Sequence, residues 1–242
     1  MGQVLAAGLA ASGDVTVVAL VDPHEPAPVS GSVWCTSVDD LDPATVDVVV
    51  DFSTPPTTHA VIEWAIRHSV AAVIGTTGLS AEDVELARSA TATSILIAPN
   101  FSVSAVLAER FAAAAAPYFT SAEVIELHHN AKVDAPSGTS ISAAKAIAAA
   151  RRDAGRPTIY DPTERETLPG SRGADAGDGV RVHSVRMSGL IAHQEIIFGS
   201  PGEGLTIRQD SYDRASYVGG VLLAVRRVRD RPGLTEGLGA LL

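Results

Sequence analysis

The chain has 242 residues, of which 46% are hydrophobic, and a formal net charge of −10. This length and apolar content are sufficient for one large folded domain or two modest ones. The negative charge argues against a broad surface for nucleic acid or an anionic membrane, because either partner would be repelled at long range. We therefore expect no nucleic-acid or membrane partner, and any anion site should be local.

Cysteine content and the lengths of the apolar runs bear on the compartment. The single Cys35 cannot form an internal disulfide, and no cluster of cysteine and histidine has the spacing of a zinc site. Alanine-rich runs such as Ala143–Ala150 end well short of the roughly 18 residues that a membrane helix needs. The sequence predicts a soluble cytoplasmic protein without a metal site.

The first hundred residues alternate short β-branched runs with stretches of helical periodicity. Four buried strands are predicted, at Val15–Val21, Val46–Asp51, Ala71–Gly75 and Ser94–Ala98. Helices are predicted at Pro56–Arg67 and at Ser80–Thr91, the second with acidic residues in its first turn. Strands that alternate with helices indicate an α/β fold with a doubly wound, Rossmann-like parallel sheet.

The pattern changes after Asn100, where strands begin to follow one another. The predicted elements are a helix at Val103–Ala116, a strand at Glu123–His128, a helix at Thr139–Arg152, and strands at Val180–Arg186, Ala192–Phe198 and Gly204–Gln209. Consecutive strands of this kind indicate an α+β layer with a mostly antiparallel sheet.

Two further segments define the domain organisation. The stretch Gly155–Gly179 is polar and rich in glycine and proline, which predicts a mobile loop or an intersubunit arm. A closing helix at Arg214–Arg229 has one apolar face and is expected to return to the first domain. We therefore expect a dinucleotide-binding domain at 1–101 with 213–242, and a substrate-binding and oligomerisation domain at 102–212.

The stretch Glu126–Thr139, ELHHNAKVDAPSGT, gathers several chemical groups where a strand runs into a loop. Side chains alternate along a strand, so His128 and His129 cannot both point the same way; one of them can face a reacting ring while the other supports or binds. Lys132 adds a cation that can donate a proton. The alternative is that each histidine has only a structural role.

The same stretch ends at the start of a helix. Ser137, Gly138 and Thr139 precede or open it, so backbone amides and the helix dipole would face an anion there. A Ser-Gly-Thr sequence is also a common helix cap without any other role. Together the proton donor, the imidazoles and the anion donors suit reduction of a polarised double bond in an acidic substrate.

Three segments are candidates for binding a dinucleotide. Asp22 closes the first predicted strand, where an acidic group can accept both hydroxyls of an adenosine ribose, although an aspartate after a strand is often only a turn former. Two loops follow other strands and lie at the carboxyl edge of the predicted sheet, where ligands bind. They comprise Gly75, Thr76, Thr77 and Gly78 in one loop and Ala98, Pro99, Asn100 and Phe101 in the other.

Over nearly its full length the chain resembles the dihydrodipicolinate reductases, also called 4-hydroxy-tetrahydrodipicolinate reductases, particularly the actinobacterial ones. The most specific motif is ELHHNAKVDAPSGT at 126–139. The others are VVDFSTP (49–55), GTTG (75–78), APNF (98–101), GLIAHQEIIFG (189–199) and LTIRQDSYDR (205–214). The resemblance implies reduction of a small cyclic dicarboxylate by NADH or NADPH in lysine and diaminopimelate biosynthesis.

The resemblance also implies roles for the candidate residues. His128 is the catalytic acid/base, Lys132 delivers the proton that completes reduction, and His129 holds the substrate together with Ser137, Gly138 and Thr139. Hydride goes to C4 of the ring, and four subunits associate through the sheets of the second domain. Cofactor contacts are implied for Asp22 at the adenosine ribose, and for Gly75–Thr77 and Ala98–Phe101 at the nicotinamide end. No metal is implied. No arginine follows Asp22, so we expect NADH to serve at least as well as NADPH.

The chain departs from the family at its start. Members of the family open with a strand and a glycine-rich turn close to Gly-x-x-Gly-x-Met-Gly, of which only Met1 and Gly2 have counterparts here. The resemblance therefore implies that residue 1 lies at the beginning of a helix, and that the strands beside the absent one have unpaired edges. We expect Met1 to be an internal methionine of a longer protein.

Two other functions remain open at this point. The departure at the start is consistent with a non-catalytic relic that binds dicarboxylates but has lost its cofactor. A doubly wound half alone is also consistent with another nicotinamide oxidoreductase, such as an amino-acid or sugar dehydrogenase. The His-His-x-x-Lys sequence at 128–132 argues against that second alternative.

Overall fold

The computed structural model describes all 242 residues, which divide into two compact units. The first unit comprises Met1–Val103 with Arg214–Leu242, and the second comprises Ser104–Asp213. No helix combines the length and the apolar character that crossing a bilayer requires.

The helices and strands follow one another along the chain in this order: α1 (Gly2–Ala10), β1 (Ala19–Val21), β2 (Val33–Cys35), β3 (Val48–Asp51), α2 (Pro55–His68), β4 (Ala71–Ile74), α3 (Ala81–Ser89), β5 (Ser94–Ile97), α4 (Val103–Ala115), β6 (Ser121–His128), α5 (Gly138–Asp153), β7 (Ala174–Asp175), β8 (Arg181–Arg186), β9 (Ala192–Ser200), β10 (Glu203–Ser211), α6 (Val218–Arg227) and β11 (Gly233–Glu236). Short 3₁₀ turns lie between several of them.

The first unit is built on parallel strands. Four of them form a sheet in the order β11-β5-β4-β3, and β1 pairs with β2 in a separate two-stranded sheet. Strand β4 is buried along its whole length, and α2 covers it with Ile62, Trp64 and Ala65, none of which is more than 1% exposed. The predicted α/β class with a parallel sheet is confirmed.

Local sequence signals set the ends of the helices in this unit. Helix α2 begins after Thr54 with Pro55 and Pro56, whose fixed φ angles suit the first helical positions. It ends at His68 and is followed by Ser69, which adopts the left-handed conformation with φ of 56°. Helix α3 begins with a capping box, in which Ser80 and Asp83 bond reciprocally to each other's backbone amides.

The prediction for the first strand was wrong in length, and two strands were missed. Only Ala19–Val21 of Val15–Val21 is strand, because β1 pairs solely with the three residues of β2. Strands β2 and β11 were not predicted. Strand β3 pairs only with β4, and β1 pairs only with β2, so each lies at an edge of its sheet.

The second unit contains one five-stranded sheet in the order β10-β9-β6-β8-β7. Strands β6 and β8 are parallel and the other pairs antiparallel, so the predicted mostly antiparallel sheet is confirmed. Helices α4 and α5 contribute to a core against one face of the sheet, where Val124, Ile147, Ile196 and Phe198 are buried. Strand β6 therefore occupies the centre of the sheet.

Two predicted segments differ in detail from the structure. The stretch 155–179 is not a loop throughout, because Ala174–Asp175 pairs with β8 as the edge strand β7. Arg172 in this stretch donates to Glu123 of β6 at 2.6 Å. The predicted closing helix is a 3₁₀ turn followed by α6, and it packs against α1 within the first unit.

Candidate active site

The candidate site in the second unit is built around the end of the central strand β6. Glu126 and His128 are two residues apart on this strand, so their side chains point to the same face of the sheet. The Glu126 side chain is fully buried, and that of His128 is 15% exposed. His129 lies beyond the strand and is exposed, with its amide donating to the Ile191 carbonyl at 3.3 Å. Because His129 lies outside β6, strand alternation, on which the prediction about the two histidines rested, does not apply to it.

Glu126 is held by donors from three parts of the unit. Arg186 of β8 donates from both terminal guanidinium nitrogens, each at 2.8 Å from a carboxylate oxygen. His128 bonds to the carboxylate through Nδ1, and the Ser137 amide donates to it at 3.3 Å. Burial raises the pKa of Glu126, but the hydrogen bonds from Arg186, Ser184 and His128 outweigh burial and hold it below its usual value. The carboxylate is therefore ionised at neutral pH.

The environment of His128 lowers its pKa. Burial is the largest cause, the bond to Glu126 opposes it, and the positive charges of Lys132 and Arg186 act in the same direction as burial. The ring is therefore mainly neutral at neutral pH. Because Glu126 is ionised and can only accept, Nδ1 carries the ring proton, which leaves Nε2 to exchange a proton with a bound molecule.

Lys132 and the start of α5 lie on the loop that follows His128. The Lys132 ammonium is bound by both carboxylate oxygens of Asp134, at 2.7 and 2.8 Å. Ser137 caps α5 by accepting from the Ser140 amide at 3.2 Å. Gly138 is exposed, and a Cβ atom built on it would meet nothing within 4 Å. Gly138 therefore has open space on the side where a side chain would stand, whereas the amides of Ser137 and Ser140 are already bonded within the protein.

The candidate cofactor loops follow neighbouring parallel strands of the first unit. Gly75 follows β4 and Ala98 follows β5, and these strands are paired, so the two loops begin side by side. A Cβ atom on Gly75 would lie 2.2 Å from the ring of Phe52, so any other residue would force that ring to move. Asp22 follows β1 in the other sheet, and its carboxylate accepts from the His24 amide at 2.9 Å.

Several candidate cofactor side chains face the protein interior. Thr76 is buried and donates to the Asp51 carboxylate at 2.8 Å. Ala98 and Phe101 are no more than 1% exposed, and the Phe101 ring packs on Phe52 with a centroid separation of 5.1 Å. Ala98 and Phe101 thus have almost no surface of their own for a ligand in this structure, and Thr76 has little. Four of the remaining candidates, Asp22, Thr77, Gly78 and Pro99, are exposed, and Gly75 and Asn100 are partly exposed.

Sequence reasoning missed four residues that organise these loops. Glu126 lies two residues before His128 on a strand, so alternation alone would have placed both on one face. Arg186 comes from a strand about sixty residues away and is brought to Glu126 only by the parallel register of β6 and β8. Asp134 holds Lys132, and the buried Asp51 accepts from Thr58 and Thr76. No three His, Cys, Asp or Glu side chains are grouped as a metal site would require.

Comparison with known proteins agrees with this arrangement. Residues 1–101 match the family model described as dihydrodipicolinate reductase, N-terminus, and residues 103–241 match the model for its C-terminus. The chain belongs to the dihydrodipicolinate reductase family. Membership makes it an oxidoreductase with an N-terminal domain of the type that binds a nicotinamide cofactor.

The alignments with individual relatives cover nearly the full length of both proteins. The chain is 50% identical to the 4-hydroxy-tetrahydrodipicolinate reductase of Corynebacterium diphtheriae over 98% of its own length and 92% of the relative's. It is 48% identical to the enzyme of the same name from Mycobacterium marinum over 100% and 94%. The solved structure of dipicolinate-bound dihydrodipicolinate reductase from Paenisporosarcina sp. TG-14 is 36% identical, with a TM-score of 0.87 over 100% of this chain and 95% of that one. The predicted family and reductase class are confirmed.

Proposed function

We propose that the chain reduces 4-hydroxy-2,3,4,5-tetrahydrodipicolinate to tetrahydrodipicolinate in lysine and diaminopimelate biosynthesis, with NADH or NADPH as the reductant. The observation that carries the proposal is the single loop that joins His128, Lys132 and the exposed Gly138 at the start of α5. This loop offers groups that exchange protons beside backbone donors for a carboxylate. The names of the relatives support the same substrate.

The reaction consumes one hydride and one proton and releases the 4-hydroxyl group as water. The nicotinamide cofactor supplies the hydride to C4 of the ring. The amides of Gly138 and Thr139, with the Ser137 cap and His129, hold the substrate carboxylates. His128 exchanges a proton through Nε2, and Lys132 delivers the proton that completes the reduction. These proposed roles follow from the positions of the groups along one loop, and none of them requires a metal ion.

The cofactor is held by the first unit. The adenosine ribose is bound by Asp22, whose turn is fixed by the Trp34 indole, which donates to the Asp22 carbonyl at 2.9 Å. Gly75–Thr77 and Ala98–Phe101 line the nicotinamide end, where the close contact of Gly75 with Phe52 fits a backbone-lined surface. Because Asp22 repels a 2′-phosphate, NADH is used at least as well as NADPH.

The active form is a homotetramer in the reducing cytoplasm. The face of β6 and β9 opposite the core of the second unit bears Ile125 and Leu127, which are partly exposed, and Ile197, which is 38% exposed. In the tetramer, this face packs against the same face of other copies of the chain. Light scattering of the full chain tests this, with a mass near four chains expected; a monomer would contradict it.

Turnover by the full chain tests the proposed function. NADH oxidation is followed with substrate generated freshly in the same cuvette, and dipicolinate binding is measured separately by calorimetry. An active reductase oxidises NADH only when the substrate is present, and dipicolinate competes with that substrate. A protein that binds dipicolinate and never oxidises NADH would instead be the non-catalytic relic, and one that does neither would contradict both functions.

A further inference from the structure

Glu126 is a buried acid that the roles above leave without a function. Its side chain has no exposed surface, although glutamate is among the residues least often buried. An ionised carboxylate at such a position is costly unless several donors compensate for lost hydration. Here Arg186, His128 and the Ser137 amide all donate to it.

The contact with His128 determines which ring nitrogen can act. The carboxylate accepts a hydrogen bond at Nδ1, so the Nδ1–H form of the neutral ring is favoured and the ring orientation is fixed. The nitrogen that remains available for proton exchange is then Nε2. Without an acceptor at Nδ1, the ring could rotate or change its tautomer, and Nε2 would carry the proton part of the time.

The same ion pair reaches the other two parts of the site. Glu126 accepts from the Ser137 amide at the start of α5, and Arg186 donates to the Asp134 carbonyl at 2.7 Å. Asp134 is the residue that binds the Lys132 ammonium. The Glu126–Arg186 pair therefore contacts the strand that bears His128, the loop that bears Lys132 and the start of α5.

We propose that Glu126, held by Arg186, is a positioning residue for the reduction, which fixes the Nδ1–H form of His128 and fastens the three parts of the substrate site to one buried carboxylate. The inference rests on the proposed function. The proposed role differs from a purely stabilising one, because the Glu126 carboxylate sets the protonation state of a ring that exchanges a proton with the substrate.

Glu126→Gln tests the proposal, and Glu123→Gln is its matched control. Glu123 lies on the same strand facing the opposite side of the sheet, and it also binds an arginine and a histidine, Arg172 at 2.6 Å and His183 at 2.8 Å. We expect Glu126→Gln to lower kcat by about 10²-fold, within the range that general acid–base groups contribute. Glu123→Gln should keep kcat within about twofold, the change expected when no group of the site is touched. Because Glu123 lies on the sheet face proposed to pack against other copies, light scattering of this variant should give the same mass as the wild type.

The pH profile separates positioning from stability. The negative charge of Glu126 opposes the lowering of the His128 pKa, so its loss should move the limb of the kcat profile that belongs to His128 to lower pH. Glu123→Gln should leave that limb in place. If the wild type is active and Glu126→Gln matches it in kcat and pH profile, the proposal is overturned. An inactive wild type would instead refute the proposed function itself.

A measurement on the wild type tests the proposal even if the Glu126→Gln variant does not fold. The ¹⁵N chemical shifts of His128 distinguish its two neutral tautomers at neutral pH. We expect the Nδ1–H tautomer to dominate. A dominant Nε2–H tautomer in the wild type would overturn the proposal whatever the variants show.

Discussion

The ammonium of Lys132 is bound by both carboxylate oxygens of Asp134, two residues away, at 2.7 and 2.8 Å. The hydrogen bond from Lys132 is the main cause of the lowered pKa of Asp134, which is thus ionised at neutral pH. An anionic substrate must compete with this carboxylate for the lysine. The resting contact therefore opposes substrate binding while it keeps Lys132 at the site.

Asp134→Asn should consequently strengthen substrate binding. Removing the competing charge should lower KM for the substrate by about 2- to 5-fold, the range that an exposed ion pair allows. The measurement is KM at saturating NADH, with Asp153→Asn at the far end of α5 as the control. A KM that rises in Asp134→Asn would show that the carboxylate assists binding instead.

Lys132 itself is expected to act on turnover more than on affinity. Lys132→Ala should lower kcat by about 10²-fold or more, because a proton donor contributes in the transition state. The dissociation constant for dipicolinate should change much less. Lys145, the only other lysine of the chain, lies exposed on α5, so Lys145→Ala is a matched control that should retain activity. Comparable activity in Lys132→Ala would remove this residue from the mechanism.

Two adjacent glycines of α6 should respond to alanine with opposite signs. A Cβ atom on Gly220 would lie 1.9 Å from the Phe101 carbonyl oxygen, whereas one on Gly219 would meet nothing within 4 Å. Gly219→Ala should stabilise the protein by about 0.5–1 kcal/mol. Gly220→Ala should destabilise it by about 1–3 kcal/mol, because backbone must shift.

Urea unfolding measures both glycine variants. Since Phe101 belongs to a proposed cofactor loop, Gly220→Ala should also raise KM for NADH, and Gly219→Ala should not. Equal stability of the two variants would contradict the close packing of α6 on this loop.

Cofactor preference is expected to depend on Asp22. The ratio of kcat/KM for NADH to that for NADPH should be one or greater in the wild type, since the carboxylate repels a 2′-phosphate. Asp22→Asn should shift the ratio toward NADPH. His24→Asn, beside Asp22 and more exposed than it, controls for changes in the turn. A wild type that favours NADPH would contradict the role of Asp22.

The fold was predictable where periodicity and end signals coincide. Helix α3 has a capping box, and β4 is a continuous apolar run, so both were found within a few residues. Strand β11, Gly-Leu-Thr-Glu, has one apolar residue and exists because it pairs with β5, and β2 exists because it pairs with β1. Such strands are set by long-range pairing, which no local pattern records.

The site was predictable only where its residues are close in sequence. His128, Lys132 and Ser137 lie within ten residues and were identified together. The Arg186 that holds Glu126 depends on strand register, and the contact of Phe52 with Gly75 depends on packing between adjacent strand ends. The sequence therefore predicted the groups that are proposed to react, and the structure was needed to find those that hold them.

A crystal structure of the full chain with dipicolinate tests the central claim most directly. We expect one carboxylate of the ligand against the amides of Gly138 and Thr139, with the ring beside His128 and Lys132. A ring bound elsewhere, with no contact to the loop at 128–139, would contradict it.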